Sequence, residues 1–100
     1  MSDIVHRTHD HRGAFVFEVS GNPLAEMAYT MANDQTMIIE HTEVDESLRG
    51  QGIGKTLQAA LVDYVRENNI KVIPLCPFAK SYFERMKEWQ DVLVNRNETK

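Results

Sequence analysis

The stretch Leu48-Arg49-Gly50-Gln51-Gly52-Ile53-Gly54-Lys55-Thr56-Leu57 constrains this chain most, because three alternating glycines run straight into an amphipathic helix. Glycine lets a backbone turn tightly and approach a ligand closely, and the first N–H groups of the helix then point outward with its dipole behind them. Such a junction suits a phosphate or pyrophosphate. Two familiar phosphate loops do not match it. A Walker A loop requires glycine where Arg49 stands, and a dinucleotide-binding loop requires G-x-G-x-x-G, whereas Gly50, Gly52 and Gly54 alternate evenly.

The flanking segments alternate between strand and helix patterns. Period-two alternation predicts strands over 4–10 and 14–19, joined around His11-Arg12-Gly13, and a third strand over 24–32 after the turn Ser20-Gly21-Asn22-Pro23. Asn33-Asp34-Gln35 is a second tight turn before a strand at 37–44, on which Met37, Ile39 and His41 share one face and Ile38, Glu40, Thr42 and Val44 the other. A helix over 52–68 carries Ile53, Leu57, Ala60, Leu61, Tyr64 and Val65 as an apolar stripe. A short strand at 71–75 follows, with Pro74 marking an edge or the end of regular pairing. Pro77 suits the first turn of a last helix bearing Phe78, Tyr82, Phe83 and Met86, and Trp89, Val92 and Leu93 close the core. Phe78 and Tyr82 read as core or cleft wall. The polar tail 95–100 is expected to fray.

Strand, crossover helix and strand form a right-handed βαβ unit, so 37–44 and 71–75 should run parallel with their C-terminal ends at one edge. Ligands bind at that edge. The fold class expected is mixed α/β, a mostly antiparallel sheet with one parallel crossover and a C-terminal helix, in a single domain over 1–100.

Arg49-x-x-Gly52-x-Gly54 resembles the loop that caps the central helix in the GNAT superfamily of N-acetyltransferases, and the resemblance covers roughly Met37 to Trp89. More narrowly the chain is similar to the small GNAT-like branch of about a hundred residues, which carries a His on the strand before the loop and a Cys at the end of the strand after the helix; His41 and Cys76 occupy those places. The resemblance implies acetyl-coenzyme A as cosubstrate. Its pyrophosphate would lie on Arg49, Gly50, Gln51, Gly52, Ile53, Gly54 and Lys55, with the Val44 N–H polarising the thioester carbonyl. One feature of the wider superfamily is missing. The Asn-x-x-Ala-x-x-x-Tyr of its last helix, whose Tyr protonates the leaving thiolate, is replaced by Cys76, Ala79 and Phe83, and Tyr82 is one residue out of register.

His41 late in one parallel strand and Cys76 just past the other are expected to face one cleft beside the glycine loop. As catalytic residues they offer either an acetyl-cysteine relay or direct attack of an amine on the thioester with His41 as general base. His41 or Cys76 would also replace the missing acid. The function expected is transfer of acetyl from acetyl-CoA to an amine or thiol acceptor, small molecule or protein. The rival is a non-catalytic acyl-CoA-binding module, which needs the loop but neither His41 nor Cys76.

Composition narrows the class further. A net charge of −4 leaves no basic surplus for nucleic acid, and the single cysteine allows no internal disulfide, in keeping with a reducing, cytoplasmic setting. No apolar run approaches membrane-spanning length. His6, His9 and His11 lack matching carboxylates or cysteines, so no metal is expected, and a monomer is the default. The acidic run Glu40, Glu43, Asp45 and Glu46 is a solvated surface unless it attracts an amine substrate.

Overall fold

Tight turns and alternating burial build the first half as a meander of β1 (Ser2–His9), β2 (Arg12–Val19), β3 (Asn22–Asn33) and β4 (Thr36–Val44), in a computed structural model that describes residues 2–94. The tail at 95–100 lies outside the described residues. β5 (Lys71–Pro74) extends the sheet in the order β1-β2-β3-β4-β5 and is its one parallel strand. Ser20 and Gly21 both take left-handed φ angles, 51° and 82°, the turn whose twist matches a two-residue hairpin. The turn is therefore shorter than expected. β3 begins at Asn22, and Pro23 sits beside a register shift in β2, where its missing N–H interrupts no regular ladder.

Helix α1 (Ile53–Glu67) has Gly52 as N-cap and Asn68 as C-cap. It buries Leu57, Leu61, Val62 and Val65 on the fully buried Met27, Met37 and Ile39 of the sheet, each side chain contributing about 1.5–3 kcal/mol of transfer free energy. Helix α2 (Pro77–Arg85) starts on its proline and packs beside α1, where the fully buried Gln58 donates to Ala79 O at 3.0 Å. A 3-10 turn at Lys87–Val92 adds Trp89 and Val92 to the core.

At the free edge, His6 of β1 stacks on Phe15 with centroids 4.2 Å apart, meets Tyr64 of α1 edge-on, and lies 2.5 Å from the Tyr29 hydroxyl. Burial holds the His6 imidazole below its ordinary pKa. It also pushes the Tyr29 phenol up to about 12, with Tyr64 adding to the effect.

Two irregularities of β4 shape the site. Pairing with β5 runs from Thr36↔Lys71 to Ile39↔Pro74 and stops there, Ile39 O accepting from both Leu75 N (3.0 Å) and Cys76 N (3.1 Å). β4 continues to Val44 with no strand beside it on that edge among the described residues. The sheet thus splits where Pro74 suggested. The second irregularity is a bulge. Ala28 pairs with His41 and Tyr29 with Ile39, which leaves Glu40 as an extra residue. One extra residue reverses which face each later side chain takes. Met37 and Ile39 face the helices, but past the bulge Thr42 and Val44 take over that face, and His41 goes with Glu40 to the other. The expected row of Met37, Ile39 and His41 is therefore broken at Glu40.

Candidate functional site

The approach to the glycine loop is a 3-10 turn, Glu46–Leu48, closed by Asp45, whose carboxylate accepts from Ser47 N (3.0 Å) and Ser47 Oγ (2.5 Å). Those hydrogen bonds hold the Asp45 carboxyl below its usual range. Gly50 and Gly52 then adopt φ of 82° and 72°, a region L side chains avoid, and a Cβ on either would point into open space. No side chain caps α1 at Gly52. The first intrahelical donor is Thr56 N, to Gly52 O at 3.0 Å, so the N–H groups of the opening turn are free to meet an anion. Gly54 has a different task. It is buried within α1, and a Cβ there would lie 2.2 Å from the Phe78 ring.

Loop, split strand and α2 enclose a cavity of about 630 Å³, within the range of small-ligand sites. Of the residues expected to hold coenzyme A, Val44, Arg49, Gly50, Gly52, Ile53 and Gly54 line it. Gln51 and Lys55 do not; Gln51 Nε2 is turned back to Ser47 O at 3.3 Å, and Lys55 is exposed. Asp45 N donates to Leu24 O of β3 at 2.8 Å, and strand alternation therefore aims the preceding N–H, that of Val44, away from β3 into the split.

Phe78 and Tyr82 form the opposite wall, rings 5.1 Å apart, with the Arg85 guanidinium 4.7 Å over Tyr82. Phe83, in the register of the missing tyrosine, is buried against Trp89, so the phenol that lines the cavity is Tyr82. The helical spacing of Phe78 and Tyr82 was visible in the sequence, but it fits a core stripe equally well. Thr42 also lines the cavity, which no local pattern announces because its side depends on the bulge.

His41 and Cys76 are not brought together. Cys76 is the N-cap of α2, only 4% exposed, and its thiol donates to Thr42 Oγ1 at 3.4 Å. His41 lies across the sheet, half exposed, with Nε2 3.6 Å from Glu26 and 3.9 Å from Glu43. The shared cleft expected of the pair is corrected by the bulge: Thr42 stands beside Cys76, and His41 faces the opposite side.

A family profile described as GCN5-related N-acetyl-transferase matches residues 14–92. Among curated proteins, protein NATD1 of Gallus gallus is 32% identical over 76 residues, which cover 74% of this chain and 69% of that protein. Protein NATD1 of Xenopus tropicalis is 34% identical over 58 residues, covering 58% and 53%. The matched part thus spans between about half and two thirds of the length of these relatives. Among solved structures, a GCN5-like protein of Staphylococcus aureus superposes with a TM-score of 0.70 at 36% identity, covering 95% of this chain and 92% of that one. A GNAT family acetyltransferase of Elizabethkingia anophelis with acetyl-CoA bound superposes with a TM-score of 0.60, covering 76% and 52%; at 14% identity that likeness concerns the fold.

Proposed function

The chain belongs to the GCN5-related N-acetyltransferase family, and from that premise we propose that it binds acetyl-CoA in the glycine-loop cavity and transfers the acetyl group directly to an amine. The observation that carries this reading is the alignment of one cavity with two kinds of unsatisfied donor, the opening N–H groups of α1 and the Val44 N–H in the split of β4. The first suit a pyrophosphate and the second a thioester oxygen. Arg49, exposed at the cavity rim, adds a guanidinium for phosphate oxygens.

The acceptor arrives as an ammonium and first loses a proton. His41, half exposed beside the Glu26 and Glu43 carboxylates, supplies the imidazole that takes this proton. The free amine nitrogen attacks the thioester carbon at the split. A C–N bond forms, and the carbonyl oxygen takes negative charge beside the Val44 N–H. The C–S bond then breaks, the sulfur leaves with its electron pair, and the nitrogen gives up its second proton to solvent, from which the Cys76 thiol is restored as His41 releases the first. Thr42, between the cavity and the Cys76 thiol, can pass a proton to that sulfur, with Cys76 as its source. The sum is ammonium plus acetyl-CoA to acetamide, CoA thiol and one proton.

Burial behind Thr42 favours this proton-donating role of Cys76 over a covalent relay. Intact-protein mass spectrometry during turnover, combined with release of CoA thiol, tests the reading. Acceptor-dependent thiol release without an acetylated protein is expected. An acetyl adduct that disappears in Cys76→Ala would overturn direct transfer, and tight acetyl-CoA binding without turnover on any amine would leave the binding-module rival.

A further inference from the structure

The bulge that removes His41 from the glycine-loop side leaves a continuous trough on the other face of the sheet. No helix among the described residues covers that face; Val16, the one buried apolar residue on it among those residues, stands apart from the core cluster. A depression of about 330 Å³ is floored by Ala14 and Ala28 and walled by Glu26, Glu40 and His41. A second, of about 270 Å³, shares Glu26 with the first and continues past Glu43 and Asp45 to Val44. Val44 in turn lines the cofactor cavity. The two faces therefore meet at one residue, the one whose N–H enters the split.

The trough is electrically polarised. At the Val44 end its charged walls are Glu26, Glu43 and Asp45, with no cation. Of the two cations that line the first depression, Arg7 reaches along the sheet to Glu18 and is neutralised by it, and Arg12 pairs with Thr30 on β3, well along the strand from the Ala25↔Val44 pair. An amine carried on a narrow chain fits a floor of alanines, and its charge is drawn to the end where the thioester would lie and repelled from the other.

Resting on the acetyltransferase reading above, we infer that the acceptor is a primary alkylammonium on an unbranched aliphatic stem. It enters along the open sheet face, with Glu26 and Glu43 holding its charge beside His41. Two sources share this chemistry, a free diamine or polyamine and a lysine side chain of a peptide. Both carboxylates are partly exposed, so their attraction should be sensitive to salt.

The test is steady-state release of CoA thiol with 1,5-diaminopentane, spermidine and a short lysine peptide, against a neutral aromatic amine and glutamate as acceptors. The native chain is compared with Glu26→Gln/Glu43→Gln and with Glu46→Gln, an exposed member of the same acidic run outside the trough. We expect the alkylammonium acceptors alone to be used. Their KM should rise at least about tenfold in the double variant, equivalent to about 1.4 kcal/mol, with little change in acetyl-CoA affinity and none in Glu46→Gln. KM in the native chain should climb with ionic strength. A low KM for the diamines and polyamine with none for the peptide identifies the free amine as the source, and the reverse identifies a protein lysine. Equal use of neutral or anionic amines, or an unchanged KM in the double variant, overturns the inference while leaving acetyl transfer intact. Failure to bind or turn over acetyl-CoA with any acceptor overturns both.

Discussion

On the helix-covered side of the sheet, Met27, Met37 and Ile39 are fully buried under α1, and Thr42 and Val44 carry that side into the glycine-loop cavity. On the open side, the same two strands present Glu26, Glu40, His41 and Glu43 to solvent and to one another. The faces differ because they answer to different physics. The covered face is fixed by burial, where each misplaced side chain costs kilocalories. The open face is fixed by charge in water, where contacts are individually weak and positions are set by the backbone beneath. One inserted residue, Glu40, decides which side chains belong to which face.

The largest expected effect lies on the covered side. Gly52→Val should weaken acetyl-CoA binding on the order of a thousandfold, about 4 kcal/mol, because a branched side chain would occupy the open space into which the Gly52 Cβ direction points. Isothermal titration calorimetry would show it, and retention of native affinity would remove the loop from the binding site.

On the open side, His41→Ala should lower kcat about 100-fold, the low end for loss of a general base, while leaving acetyl-CoA affinity unchanged. A parallel fall in acetyl-CoA affinity would place His41 on the cofactor side and erase the distinction between the faces.

Gly54→Ala sharpens the contrast within the loop itself. The new methyl would displace the Phe78 ring, but alanine favours the helix by about 1 kcal/mol, so thermal unfolding should shift little. Acetyl-CoA affinity should fall by roughly tenfold, about 1.4 kcal/mol, because Phe78 is a cavity wall. Gly54→Ala/Phe78→Ala should be more tolerant of heat than Phe78→Ala alone, since only the helix gain then remains.

The smallest effect concerns His6, which clamps the edge strand on the covered side. Burial lowers its folded pKa, so the unfolded chain binds the proton more readily. Its stabilising contribution is therefore complete above the unfolded pKa of about 6.5 and is lost as pH falls from there toward the lowered folded value. Melting temperatures measured from about pH 7.5 to 5 should fall less steeply for His6→Gln than for the native chain. Identical slopes would show that the ring is not protected.

Much of this was legible in the sequence, and the limits have physical causes. The stripe Leu57, Leu61 and Val65 gave α1 to within a residue at either end, since burial of one helical face leaves a strong period. That 37–44 and 71–75 run parallel followed from the crossover helix between them, although pairing spans only 36–39 with 71–74. The glycine spacing located the loop and most of the cavity lining. The bulge was not legible. Ile38 to Val44 alternates plausibly in either parity, and only pairing with β3 reveals that Glu40 has no partner. In the unbulged parity His41 falls beside Cys76 and Thr42 faces away from the cavity. Gly54 lines the cavity as expected, but its contact with Phe78 was hidden for a related reason. Its neighbour Phe78 lies far along the chain, and no local spacing distinguishes a glycine that meets a ligand from one that meets an aromatic ring.

In the proposed reaction acetyl-CoA occupies the covered side, with its thioester in the split of β4 and its pyrophosphate on α1. Titration of the isotope-labelled chain with acetyl-CoA, followed through backbone amide resonances, tests it most directly. Saturable shifts are expected at 48–55 and at Thr42 and Val44, with the amides of β1 and the β1–β2 turn unmoved. Saturable shifts confined to the open face, or none at any site, would contradict it.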